Sequence, residues 1–373
     1  MPKSTFGHIE RLGKNLYRCY WHEDGRRRSH RVHGSLDDAK DFLASRRIGL
    51  AGCSDRTTWR EFWAAVVEPS FDGLAAKTVH NYRRIWERHL APTLGRRTVA
   101  STNAQAADRA LARIASPASQ KAAKALGRKI CNMAVREGIL ERNPFVGAKT
   151  ARAGRRRKEP YTAREVEAWL RGMRGSKYEA ALICELGAGL RHEEACALTW
   201  EDVAEWNGKA VLRVNKALTT VNGRRELKGT KTADSERVCI MGEPFASRVL
   251  ELRGKGPLVP SAPGTDVRSP CDIYANPATI THNYREWCRK HGIRYVCPRD
   301  LRSTFATLHG EAGSQDSMVA LAMGHTDGTT KGRHYQQRTI AGLAMIADNL
   351  AEYLCTPDPD LPDIPSLFPL DTA

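Results

Sequence analysis

At 373 residues the chain is long enough for two or three domains, each able to bury its own core. Its 59 Lys and Arg against 42 Asp and Glu leave a formal charge of +17, which favours a polyanionic partner, nucleic acid first and an acidic membrane surface second. No apolar run approaches the roughly 20 residues a bilayer span needs. The opening Met-Pro-Lys-Ser-Thr-Phe-Gly-His lacks the apolar stretch of a secretory signal, so a cytoplasmic, DNA-associated location and no membrane partner are expected. Ten cysteines (Cys19, Cys53, Cys131, Cys184, Cys196, Cys239, Cys271, Cys288, Cys297 and Cys355) are scattered without a Cys-x-x-Cys pair. They read as small buried hydrophobes in a reducing compartment, and no metal site is expected.

The predicted fold class is mainly α with small β-sheets (α+β), in several domains. Residues 1–56 read as a three-stranded sheet plus one helix. Strands are expected over Gly7–Leu12, Leu16–Trp21 and Arg26–Val32, with turns at Gly13–Asn15 and Glu23–Gly25. Ser35 is the expected N-cap of a helix reaching about Arg47, with Asp37 and Asp38 in its first turn. The outer face of the sheet is expected to carry Arg18, Arg26, Arg28 and His30. Those cations suit a major groove, although a solvated basic edge strand explains them too.

Residues 57–148 are helical in pattern. Trp59, Phe62, Trp63, Val66 and Val67 form one apolar stripe; Thr78, Val79, Tyr82, Ile85, Trp86 and Leu90 form a second, which Pro92 is expected to end. Further helices are expected over Thr102–Ala115 and Ser119–Gly138, before Asn143-Pro144. Their polar faces are basic, with Lys77, Arg83, Arg84, Lys121, Lys124 and Arg128 as candidate DNA contacts. Acidic residues look too sparse to pair with them, which favours a backbone-phosphate surface over a merely solvated one. Residues 149–158 form a basic linker, an electrostatic strap by position and an import-like patch by composition alone. A mixed domain is expected over 159–354 and a Pro/Asp-rich tail over 355–373.

Four stretches of the mixed domain carry polar residues that core patterning does not require. Leu186–Leu198 places Arg191 after a small-residue turn, with Glu194 at the head of the next helix, ready to orient its guanidinium. Lys228–Val238 reads as a polar hairpin bearing Lys231, between strands over Arg224–Leu227 and Arg237–Met241. Pro298–Leu308 is a helix with Leu301, Phe305 and Leu308 inward, leaving Arg299 and Arg302 together one turn apart. The fourth stretch holds Gly324-His325 and then His334-Tyr335.

Taken in order, Gly-Leu-Arg-x-x-Glu, Lys-Thr before a strand, Asp-Leu-Arg-x-Thr-Phe-Ala-Thr, Gly-His and a late Tyr resemble the tyrosine recombinase family, the integrases of phages and conjugative elements. The resemblance covers most of residues 159–350; the segments before it look like the family's arm-type and core-type DNA-binding domains. It implies site-specific cutting and rejoining of double-stranded DNA attachment sites, without metal, ATP or other cofactor. Tyr335 would be the nucleophile, forming a 3′-phosphotyrosyl link. Arg191 and Arg302 would clamp the phosphate, and Lys231 (with Lys228 as rival) would protonate the leaving oxygen. His325 would bond the phosphate or help deprotonate the nucleophile.

The family's usual His three before Arg302 is here Arg299, which cannot exchange a proton near neutrality and is read as a phosphate-stabilising group. A homo-tetramer in the synaptic complex is implied, with a directionality factor or host DNA-bending protein as accessory partner. The apolar stripe Ile340, Leu343, Ala347, Leu350 and Leu354 either caps its own domain or docks on a neighbour. Two other readings remain open: a catalytically silent DNA-binding regulator and a type IB topoisomerase-like enzyme.

Overall fold

The computed structural model describes residues 7–23, 26–152, 154, 159–221, 223–229, 236–325 and 339–356. The chain divides into two units, Met1–Arg155 and Arg156–Ala373, with the break inside the basic segment. Among the described residues, no helix is long and apolar enough to cross a membrane.

In the first unit β1 (His8–Gly13), β2 (Leu16–Glu23) and β3 (Arg26–His33) form an antiparallel sheet in chain order. Helix α1 (Leu36–Ala51) covers one face, closing a small core around Cys19, Trp21, Ala39 and Leu43. Ser35 caps it: its Oγ accepts from Asp38 N at 3.2 Å, and its own N–H donates to Asp38 Oδ2 at 2.6 Å.

The register corrects the expected outer face. Cys19 pairs with His30 and Trp21 with Arg28, and cross-strand partners share a face. Arg26, Arg28 and His30 therefore lie on the α1 side, where His30 stacks on Phe42 at 4.7 Å. Of the four expected cations only Arg18 stays outside. Arg27 and Arg31 join it, with Arg27 4.2 Å above the Tyr20 ring. Strand β3 has one apolar residue, Val32, so its own pattern barely marks a face. The pairing of Glu23 with Arg26 fixes the register, and with it the face.

The rest of this unit is helical. Thr58 and Glu61 form a capping box for α2 (Trp59–Phe62), which continues as a π-helical stretch over Trp63–Val67. Helix α3 (Ala76–Ile85) runs through a second π stretch, Trp86–Leu90, into α4 (Ala91–Leu94). Pro92 thus does not end the helix. It sits in the first turn of α4, where its missing N–H costs little. Asn103 caps α5 (Ala104–Ala112) and Ser116 caps α6 (Pro117–Arg136). The core centres on Trp59, Phe62, Trp63, Trp86 and Phe145, with Trp63 and Trp86 stacked at 4.7 Å. Trp59 Nε1 donates to Thr102 Oγ1 at 2.8 Å, so its buried indole is satisfied.

The second unit opens with α7 (Ala163–Met173), the fully buried α8 (Glu179–Gly187) and the short α9 (His192–Ala195). Five strands follow: β4 (Val203–Trp206), β5 (Lys209–Val214), β6 (Lys216–Val221), β7 (Arg224–Gly229) and β8 (Arg237–Met241). They make two antiparallel sheets, β4-β5-β8 and β6-β7. This corrects a second expectation. Strands β7 and β8 do not bracket a hairpin; β7 pairs with β6 and β8 with β5, in separate sheets.

Helices α10 (Phe245–Glu251), α11 (Pro277–Lys290), α12 (Pro298–Glu311), α13 (Asp316–Ala322) and α14 (Ile340–Cys355) complete the unit. The α14 stripe is taken up within its own unit: Leu343, Ile346 and Ala347 pack with Ile240, Phe305, Val319 and Met323. Ile340, expected in that stripe, is exposed instead.

Candidate functional site

Two glycine turns deliver the polar residues of the second unit to one place. After α8 the chain turns through Gly189, whose φ is +62°; a Cβ there would lie 2.6 Å from the Phe305 ring. Both facts demand glycine. The turn makes Arg191 the residue preceding α9, so Glu194 folds back to accept its backbone N–H at 2.9 Å. The second turn is Gly324, with φ +67°, where a Cβ would lie 3.1 Å from Arg237 Nη1.

Helix α13 ends at this second turn, and three arginines converge on its last carbonyls. Arg237 Nε donates to Ala322 O at 2.7 Å, Arg302 Nη2 to Met323 O at 2.6 Å, and Arg191 Nη2 to Gly324 O at 3.0 Å. Three successive oxygens thus accept from cations carried by β8, α12 and the head of α9. A helix C-terminus leaves its carbonyls unpaired and partly negative, which is the physical reason for the gathering. Arg302 also donates through Nη1 to Gly189 O at 2.6 Å, tying the two glycine turns together. His325 follows immediately, its backbone N–H bonded to Ala320 O at 2.9 Å.

Glu194 is the counter-charge. Its Oε1 accepts from Arg191 Nη1 at 2.7 Å and Arg237 Nη1 at 3.2 Å, and its Oε2 accepts from Arg237 Nη2 at 2.8 Å. Burial alone would raise its pKa, but Arg237 and then Arg191 hold it below the ordinary carboxylate range. Burial, followed by repulsion from Arg191, pulls Arg302 down to about 10, which still leaves it charged at neutral pH. Burial and the same arginines, Arg302 foremost, push His325 below its ordinary value, so its imidazole is neutral there. The Arg191 side chain is 44% exposed whereas Glu194 is 4% and Arg237 0% exposed. A guanidinium has five N–H donors, so Arg191 keeps donors facing outward for an anion.

Arg191, Glu194, Arg302 and His325 are therefore brought together. Arg299 is exposed in the first turn of α12 and shares none of the described hydrogen bonds of the cluster. Lys231 and Tyr335 lie outside the described residues. Arg237 was not singled out from the sequence. Its signal is a lone arginine heading the otherwise apolar strand Val238–Met241.

On the first unit, Arg84, Lys121 and Arg128 are exposed and Lys77 is half-buried. Arg83 pairs with Glu68 at 2.6 Å, and Lys124 donates to Ala148 O. Pairing by acidic residues is thus not wholly missing from this face.

One trio with metal-ligand chemistry exists among the described residues, Glu185, His192 and Cys196. Its imidazole is already engaged at both nitrogens, Nδ1 with Glu185 at 2.6 Å and Nε2 with Pro277 O at 2.9 Å. The arrangement is a buried, hydrogen-bonded Glu–His pair: burial pushes the Glu185 carboxyl up, and Glu185 pushes His192 up against the opposing effect of its own burial.

Fold and cluster together define a domain that concentrates guanidinium groups, with the half-exposed Arg191 among them and a histidine of lowered pKa beside them. Residues 162–340, which hold the cluster, match the family model described as the phage integrase family. A XerC-like tyrosine recombinase of Caldanaerobacter subterraneus subsp. tengcongensis is 23% identical over 235 residues, covering 56% of this chain. The match spans 60% of that relative's length. In fold, the Tn1549 transposon integrase in complex with circular intermediate DNA superposes with TM-score 0.60 at 19% identity, over 79% of this chain and all of that one. A lambda integrase dimer bound to a core site gives 0.54 at 16% identity, over 76% of this chain and 99% of that one.

Proposed function

We propose that the protein is a site-specific DNA recombinase that cuts and rejoins DNA through a 3′-phosphotyrosyl intermediate at Tyr335. The observation carrying this reading is the convergence of Arg191, Arg237 and Arg302 on the three carbonyls just before His325. In the proposed reaction the Tyr335 phenolic oxygen attacks phosphorus and the bond to the 5′-oxygen breaks. Lys231 gives that oxygen a proton, and the neutral His325 takes the phenol's. Arg191 and Arg302 meet the charge gathering on the non-bridging oxygens. A 5′-hydroxyl from a second duplex then reverses the attack, so the phosphodiester energy is retained without a nucleotide cofactor.

The substrates would be two double-stranded attachment sites held in a homo-tetramer, assisted by a directionality factor or host DNA-bending protein. The N-terminal sheet would serve a distal arm-type site and the helical segment the core site. Arg299 would add phosphate binding from the first turn of α12.

A nicked duplex bearing the attachment core, cut so that the 5′-hydroxyl fragment diffuses away, tests this. A covalent protein–DNA adduct, and strand exchange when a second duplex is supplied, are expected. Binding without adduct would make the protein a silent regulator, and adduct without exchange would make it a type IB topoisomerase-like enzyme.

A further inference from the structure

The geometry points to Arg237 as a positioning residue for Arg191: by sharing Glu194, it keeps the Arg191 guanidinium aimed at the phosphate rather than wholly consumed by its own carboxylate. The inference rests on the recombinase reading and adds a residue to it. Arg191 and Glu194 alone would form a neutral pair three residues apart. Glu194 Oε2, however, accepts from Arg237 Nη2 at 2.8 Å, and Oε1 divides between Arg191 Nη1 at 2.7 Å and Arg237 Nη1 at 3.2 Å. Two cations thus face one carboxylate.

The third contact fixes the frame. Arg237 Nε on Ala322 O at 2.7 Å pins β8 to the end of α13, two residues before the Gly324 carbonyl that receives Arg191 Nη2. With its side chain fully buried, Arg237 cannot itself reach a DNA phosphate. Its effect on the DNA is indirect, and the shared Glu194 carboxylate supplies the route through Arg191. Lysine at this position keeps the charge but offers no planar fork, so it cannot hold Glu194 by two bonds and Ala322 by a third.

Single-turnover cleavage by the full-length protein separates this from a general packing role. Three nicked substrates are compared: the ordinary phosphodiester, one with sulfur as the 5′ leaving atom, and a methylphosphonate whose scissile centre lacks the negative charge. Arg237→Lys should slow ordinary cleavage by roughly 10- to 100-fold, by analogy with the loss of outer partners that orient metal ligands. DNA affinity should stay near wild type, and the variant, though less stable for the buried bonds it loses, should remain folded at the assay temperature. The defect should persist with the sulfur leaving atom, which needs no proton, and shrink on the methylphosphonate, which needs less guanidinium charge.

An equal defect on all three substrates would overturn the inference, and so would rescue by sulfur alone, which would place the effect on proton donation. Arg237→Met leaves Glu194 under-paired in the interior and serves only as a folding control. A wild type that forms no adduct would sink the recombinase reading instead. The positioning claim then stands or falls on the Arg191 side-chain Nε–H resonance, which Arg237→Lys should shift and which, if unmoved, refutes it.

Discussion

The N-terminal sheet and the arginine cluster both concentrate positive charge, and they hold it in opposite ways. On the sheet, Arg18, Arg27 and Arg31 stand on the outer face, propped by Tyr20 and a 3.8 Å contact from Arg18 to Glu10. In the cluster, Arg237 and Arg302 are buried and each donates to backbone carbonyls. A solvated cation gives up counterions and tolerates many approach geometries, which suits binding along a phosphate backbone. A cation fixed by two or three bonds before the ligand arrives needs no reorganisation during reaction, which suits a transition state. Loss of charge in the two places should therefore register in different measurements.

The largest effect is expected in the cluster. Arg191→Ala should lower single-turnover cleavage by roughly 10²- to 10³-fold, about 2.7–4 kcal/mol, while leaving DNA affinity nearly intact. An affinity loss of the same size would mean that Arg191 is only a binding cation. On the sheet, Arg31→Ala should weaken binding to the distal site modestly, with the slope of log affinity against log salt falling by about 1. Arg28→Ala, on the α1 side, should leave that slope unchanged; equal effects would erase the distinction between the two faces.

The smallest expected effect is in the pH profile. His325 titrates below the ordinary 6.5, because burial and the three arginines disfavour its charged form. Its base function is present above that pH and lost only as pH falls through the depressed value. Cleavage should thus fall off on the acid side with a midpoint below 6.5, and a midpoint at or above that value would contradict the lowered pKa of His325.

The comparison also explains what the amino-acid pattern could and could not reveal. Arg191, Glu194, Arg302 and His325 were legible because the ordered set of short motifs that holds them resembles a known family; the spacing of each alone was weak. Arg237 was hidden because its partners lie 43 residues upstream at Glu194 and 85 downstream at Ala322, distances no local pattern spans. Strand β3 failed differently. Six of its eight residues are Arg or His, so hydrophobic alternation had almost nothing to mark, and pairing to β2 decided which side faces α1. The path of Pro92 depended on the π-helical stretch before it, which shifts the hydrogen-bond frame without any residue that announces it. A helix with a strong apolar stripe and a clear cap, α6, came through with only its ends displaced.

The central claim is tested most directly by digesting the adduct formed on a nicked attachment core and sequencing the DNA-bearing peptide by mass spectrometry, for wild type and Tyr335→Phe. The account predicts a nucleotide 3′-phosphate on Tyr335 in the wild type and no adduct in the variant, with DNA binding retained. An adduct on any other residue, or one that survives the loss of that hydroxyl, would contradict it.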